Sequence, residues 1–99
     1  MQKSESTSPS KDTGSLHVKI VSTEKVLFEG EVERVAVPGI SGSFEIYKDH
    51  APIISSLARG KVVCDGDGFR VGVKSGFVEM SENNASICIE VDKEKEDGK

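Results

Sequence analysis

Asp49 and His50 are adjacent, with Ser41, Ser43, Ser55 and Ser56 close by in the chain. Those residue types are the raw material of a nucleophilic triad, in which a histidine takes the serine proton and a carboxylate orients the ring. A triad is a spatial constellation, however, and the sequence has no GxSxG elbow. Gly39-Ile40-Ser41-Gly42-Ser43 lacks the strand-to-helix setting that such an elbow needs. His50 therefore reads as a loop residue ahead of the Ala51-Pro52 corner. Metal chemistry finds no better footing. His17 and His50 are isolated, Cys64 and Cys88 fall on separate predicted strands, and nothing has the close ligand pairs of a zinc site. The two cysteines also have no CxxC spacing and too few companions for a disulfide framework, which points to a reduced compartment. Gly66 and Gly68 belong to a predicted hairpin rather than to a phosphate-cradling loop before a helix. Glu29, Glu31 and Glu33, two residues apart, form a solvated acidic stripe on one strand face that can bias the choice of partner. The residues thus predict no catalytic group, no metal and no cofactor.

The elements that would position these residues are strands. Leu16, Val18 and Ile20 alternate with His17 and Lys19; Phe69, Val71 and Val73 alternate with Arg70, Gly72 and Lys74. Ala85, Ile87, Ile89 and Val91 alternate with Ser86, Cys88 and Glu90. A period of two, with one apolar and one polar face, is the pattern of half-buried antiparallel strands. Between Val32 and Val35 the apolar parity changes, which predicts a β-bulge within 28–38. The run 61–64 has apolar residues on both faces, as for an edge strand or one packed on both sides. Turns are predicted at Asp65-Gly66-Asp67-Gly68 and Glu82-Asn83-Asn84, where Gly and Asn tolerate positive φ. Ser75-Gly76 permits a bend or bulge between 69–74 and 77–81. Residues 52–58 read equally as a strand or a brief helical turn. The fold class expected is all-β, an antiparallel β-sandwich of about ten short strands.

Composition bounds the rest. The chain has 99 residues, enough for one domain, and 13 Lys plus Arg against 17 Asp plus Glu give a net charge of −4. That balance argues against nucleic acid, whose phosphates call for a basic face. No apolar run approaches the ~20 residues that span a bilayer. Residues 1–15 contain no Val, Ile, Leu or aromatic residue and are expected to be disordered. Residues 16–91 form the foldable block, and 92–99 read as a charged, solvated tail.

Two resemblances stand out. Glu90-Val91-Asp92-Lys93 resembles the Glu-Thr-Asp-Lys-Ala turn of lipoyl carrier domains, which would make Lys93 a modified lysine. A carrier needs a strand after that turn, and EKEDGK cannot supply one. The second resemblance runs through the whole foldable block. Leu27-Phe28-x-Gly30, Val35-x-Val37-Pro38-Gly39, Gly42-x-Phe44-x-Ile46, His50-Ala51-Pro52 and Ser75-Gly76-Phe77-x-Glu79, in this order and spacing, resemble the N-terminal β-sandwich of the epsilon subunit of F-type ATP synthases.

That resemblance implies a non-catalytic rotor subunit of the central stalk. It would couple proton translocation to ATP synthesis through contacts with the gamma subunit and the c-ring, in one complex with the alpha/beta hexamer. It implies a c-ring-facing loop at Ser41, Gly42 and Ser43, and a gamma-facing surface at Ser22, His50, Ala51, Pro52 and Ser55. It also implies a peripheral position on the cytoplasmic face of an energy-transducing membrane, the bacterial inner membrane, held only through the complex. Two departures are visible. Family loops commonly read Gly-Ile-x-Pro-Gly/Asn-His where this chain has Glu45-Ile46-Tyr47-Lys48-Asp49-His50, and Ser43 stands where an acidic residue is common, a charge that Glu45 or Asp49 would have to replace. Family members also continue into a C-terminal helical pair that can bind ATP and inhibit hydrolysis. Here DKEKEDGK follows Val91: as a whole chain this would have neither such helices nor the family's nucleotide site, and as a piece of a longer one it would be the sandwich alone.

Overall fold

Leu16, Val18 and Ile20 are fully buried, while His17 and Lys19 between them reach solvent. Successive side chains on a strand point to opposite faces, so this alternation leaves one face wet and one dry. The computed structural model describes residues 16–65 and 68–92, and every regular element within them is a strand. In chain order these are β1 (Leu16–Val21), β2 (Val26–Val32), β3 (Arg34–Gly39), β4 (Gly42–Tyr47), β5 (Ile53–Leu57), β6 (Gly60–Asp65), β7 (Phe69–Ser81) and β8 (Asn84–Val91). Among the described residues no helix is long and apolar enough to cross a membrane.

The strands follow the order β2-β1-β8-β7-β5-β3-β4, with β6 pairing both β3 and β7. β7, at 13 residues, is the spine. Its first half pairs with β6 and its second half with β5 on one side, while β8 pairs with Val73–Ser81 on the other. The arrangement is sandwich-like because these shared strands bend the ladder back on itself. Its inward residues make one core: Leu16, Val18 and Ile20 of β1 join Ala85, Ile87 and Ile89 of β8, Val35 and Val37 of β3, Ile46 of β4 and Val62 of β6. Each such side chain contributes about 1.5–3 kcal/mol by leaving water.

Three details differ from the expectation and one open choice is settled. There are eight described strands against about ten expected, and one of the difference is that 69–81 is continuous. Ser75-Gly76 bulges the strand, shifting its register against β8 between Val73 and Ser75, without ending it. Gly76 is needed there because a Cβ would stand 2.3 Å from the Cys88 carbonyl oxygen. Second, the parity change before Val35 is a corner at Glu33 rather than a bulge. β2 ends there, the Glu33 amide donates to the Asp65 carbonyl (3.3 Å), and β3 begins in a different set of pairings. Third, 52–58, which reads equally as a strand or a helical turn, is a strand over Ile53–Leu57. Fourth, β1 and β8 are parallel, the exception among otherwise antiparallel pairs. Antiparallel neighbours can be joined by a short turn, but parallel ones need a crossover. Here β2 to β7 intervene, and alternation alone cannot reveal a partner that far away.

The charged end also departs from its composition. Asp92, assigned by sequence to the solvated tail, is only 3% exposed. Its amide donates to the Gly72 carbonyl (3.0 Å), and its carboxylate accepts from Arg59 Nη1 at 2.6 Å. A carboxylate leaves water at little net cost only when a cation and hydrogen bonds replace its hydration. Residues 1–15 and 93–99, and the turn residues Gly66 and Asp67, lie outside the described residues.

Candidate partner-binding surface

Pro38-Gly39 and Gly42-Ser43 pair at the mouth of the β3–β4 hairpin, leaving Ile40 and Ser41 at its tip. Gly42 has φ +131°, a conformation that side-chain-bearing residues rarely adopt, which explains its place in this tight turn. Ser41, Gly42 and Ser43 are all exposed. The tip is braced from beside it, since the Ile40 amide donates to the Ser56 carbonyl of β5 (3.0 Å) and the Ala58 amide to the Pro38 carbonyl (2.8 Å).

The connection between β4 and β5 carries His50, Ala51 and Pro52. The His50 amide donates to the Tyr47 carbonyl (3.1 Å), and its ring Nδ1 bonds the Ala51 carbonyl (2.8 Å). The preceding Asp49 adopts φ +65° and is held by a reciprocal pair of bonds. Its amide donates to Asn83 Oδ1, and Asn83 Nδ2 donates to Asp49 Oδ1 at 3.0 Å. Glu82 and Asn83 form the β7–β8 turn with positive φ, as their sequence predicts. The connector is thereby pinned to the far end of the spine strand, and the loop is positioned by a rigid scaffold.

Ser55 lies on β5 opposite Val78, half-buried, with Oγ donating to the Ser56 carbonyl (3.1 Å). Ser22 is elsewhere. It follows β1, and its hydroxyl accepts from the Glu24 and Lys25 amides (3.1 and 3.3 Å), closing the β1–β2 turn. Two strands, β8 and β7, separate β1 from β5, which is about 14 Å across at the usual strand spacing. The structure thus brings Ser41–Ser43 beside Ser55 through the β5 brace and leads His50–Pro52 into the same strand, while Ser22 stands apart. Ser22 instead borders a groove of about 570 Å³ together with Lys25, Arg59, Lys74, Glu90 and Asp92. Its charges are matched across the groove, Arg59 to Asp92 at 2.6 Å and Lys74 to Glu90 at 3.8 Å.

Sequence reasoning missed the apolar residues of this surface. Ile54 is 76% exposed, Ile40 67% and Phe77 45%. Phe77 lies directly opposite Ser56, and Ile54 one diagonal away opposite Glu79. Cross-strand and diagonal neighbours on one face touch, so Ile54 and Phe77 form an apolar patch beside the hairpin brace. The signal was available. Ile54 shares its parity with Ser56, and Phe77 shares its parity with Ser75 and Glu79, so both are large apolar residues on the polar side of an alternating strand.

The acidic stripe also resolves differently. Glu33 sits at the corner between strands, whereas Glu29 and Glu31 of β2 both bond the ring of His17. Among the described residues no three His, Cys, Asp or Glu side chains are grouped to hold a metal. Cys64 is buried and Cys88 half-buried. The carrier reading loses its geometry as well. Asp92 turns inward to Arg59 instead of standing on a projecting bend, and Lys93 lies outside the described residues.

Residues 15–92 match the family profile described as "ATP synthase, Delta/Epsilon chain, beta-sandwich domain". The chain belongs to this family. The ATP synthase epsilon chain of Leptospira borgpetersenii serovar Hardjo-bovis (strain JB197) is 37% identical over 84 residues, covering 83% of this chain and 66% of that protein. The epsilon chain of Rhodopseudomonas palustris (strain BisA53) is 35% identical over 79 residues, covering 78% and 58%. The chain therefore spans somewhat less than two thirds of the length of these relatives. In shape it is similar to a chain of the Euglena gracilis mitochondrial ATP synthase (OSCP/F1/c-ring, rotational state 1), with TM-score 0.72 and 14% identity over 95% of this chain and 64% of that one. A chain from the Tetrahymena thermophila mitochondrial ATP synthase central stalk and c-ring gives TM-score 0.64 and 13% identity over 75% and 62%. At such identities the likeness is one of fold.

Proposed function

We propose that this sandwich is a non-catalytic rotor subunit of an F-type ATP synthase, wedged between a gamma-type shaft subunit and the c-ring and turning with them beneath the alpha/beta hexamer. The observation that carries the reading is the Ile54–Phe77 patch, on the polar parity of two strands and beside two loops braced to the same sheet. Protein interfaces place an apolar or aromatic centre within a polar rim, which is the arrangement at this edge. The patch and the connector His50-Ala51-Pro52 face the shaft, while Ser41, Gly42 and Ser43 at the hairpin tip face the ring; Ser55 has the opposite parity to Ile54 on β5 and points away from the patch. Ser22, closing its own turn, gives a separate second contact to the shaft.

No bond chemistry is required of such a part. It has to transmit torque without shearing, and interiors packed to crystal-like density, cross-linked by a spine strand shared between pairings, resist shear. Its membrane association is peripheral, through the ring alone, on the cytoplasmic face. The epsilon chains of Leptospira and Rhodopseudomonas support a bacterial setting. The test is gel filtration of this chain with the gamma-type subunit of the same organism at low micromolar concentration. Co-elution is expected, and clean separation would overturn the reading.

A further inference from the structure

His17 on β1 stands directly opposite Glu31 on β2, with Glu29 on the adjoining diagonal. Its Nδ1 lies 2.8 Å from Glu31 Oε2 and its Nε2 lies 3.0 Å from Glu29 Oε2. A neutral imidazole has one N–H and one lone pair, so it can donate to only one of these carboxylates and must repel the other. Both bonds exist together only on the imidazolium. We propose that His17, Glu29 and Glu31 form a proton-gated clasp, which locks the edge strand β2 onto β1 and opens when the ring loses its proton.

The position gives the clasp something to control. Among the described residues β2 is the terminal strand of the sheet order and pairs with β1 alone. Loss of the proton removes one of the two bonds and the positive charge that both carboxylates face at His17. The end of β2 nearest the Glu33 corner then loosens, and a more anionic patch faces solvent. On β1 the nearest charge is Lys19, which stands opposite Glu29. On β8 the neighbours are Asn84 and Ser86, neither of them titratable. In the β7–β8 turn Asn83 accepts the His17 amide on its carbonyl, and Glu82 is the titratable residue there.

The two carboxylates raise the His17 pKa above its ordinary 6.5, first through the Glu31 bond and then through the Glu29 bond, against a smaller opposing effect of burial. A raised pKa in the folded state places the stabilisation fully below about pH 6.5 and removes it as pH climbs through the folded value. The clasp is therefore closed on the acid side of neutrality and open on the alkaline side, whatever partner the opposite edge of the sheet meets.

The experiment follows the two histidine Cε1 protons of the intact protein by NMR and the exchange of the 29–31 amides at about pH 6 and about pH 9, corrected for intrinsic exchange rates. His17 should titrate above 6.5, and Glu29→Gln with Glu31→Gln should lower its midpoint by at least about half a unit. Protection of 29–31 should fall at least about threefold from the acid to the alkaline sample in the parent chain and stay level in the double variant. His17→Gln, which keeps one donor, should also abolish the pH dependence. A His17 midpoint at or below 6.5, a midpoint unmoved by the double substitution, or protection of 29–31 independent of pH would each overturn the clasp.

Discussion

The two outward faces of the sheet treat large side chains in opposite ways. On the β3–β4–β6 side, Tyr47 is half exposed yet fully engaged. Arg34 lies over its ring at 5.9 Å and is paired with Asp65, while the Tyr47 hydroxyl donates to Glu45. On the β5–β7 side, Ile54 and Phe77 are exposed, with no comparable cover among the described residues. An aromatic capped by a guanidinium and tied by its hydroxyl already has its partners in the monomer. Two uncapped apolar side chains do not, and they gain by burial against another protein. A large exposed residue thus signals a partner only when its own neighbours leave it uncovered.

Substitutions can break or sharpen that contrast. Ile54→Glu with Phe77→Glu should have the largest effect, weakening the complex with the gamma-type subunit at least about a hundredfold, as loss of a central interface anchor does. Thermal stability should move little, because exposed positions contribute within about 0.5 kcal/mol. Asn83→Ala comes next. It removes the reciprocal bonds to Asp49, costs about 1 kcal/mol of stability, and should weaken the complex about five- to tenfold by releasing the His50-Ala51-Pro52 connector. Both quantities are read from a melting curve and a binding isotherm. Tyr47→Ala should alter affinity less than about threefold, since that face already satisfies itself.

The smallest effect is spectroscopic. The chain has one Tyr and no Trp, so phenolate absorbance reports Tyr47 alone. The Glu45 carboxylate, accepting the hydroxyl proton, holds the phenol above its usual 10.0. Glu45→Gln should shift the titration toward lower pH, with the melting temperature essentially unchanged.

Much of the fold was legible because alternation reports burial directly. Leu16, Val18, Ile20, Ala85, Ile87 and Ile89, all assigned inward by parity, are buried. What alternation cannot carry is pairing at long range. It gave no sign that β1 lies parallel to β8, that Glu33 is a corner, or that Asp92 finds Arg59 across 33 residues of chain. The loops were legible as loops, through Gly42, Asn83 and Pro52. Their bracing was not, because the Ile40–Ser56 and Asp49–Asn83 bonds join segments that only the closed ladder brings together. Ile54 and Phe77 were missed although their signal was present, since both stand on the polar parity of their strands.

Binding of the gamma-type subunit to the parent chain and to the Ile54→Glu, Phe77→Glu variant, measured side by side by isothermal calorimetry with the melting curve of each, tests the rotor-face assignment most directly. A tight complex for the parent, at least about a hundredfold weaker for the variant with matching melting curves, is the predicted result. Equal affinity for both chains, or no complex with either, would contradict it.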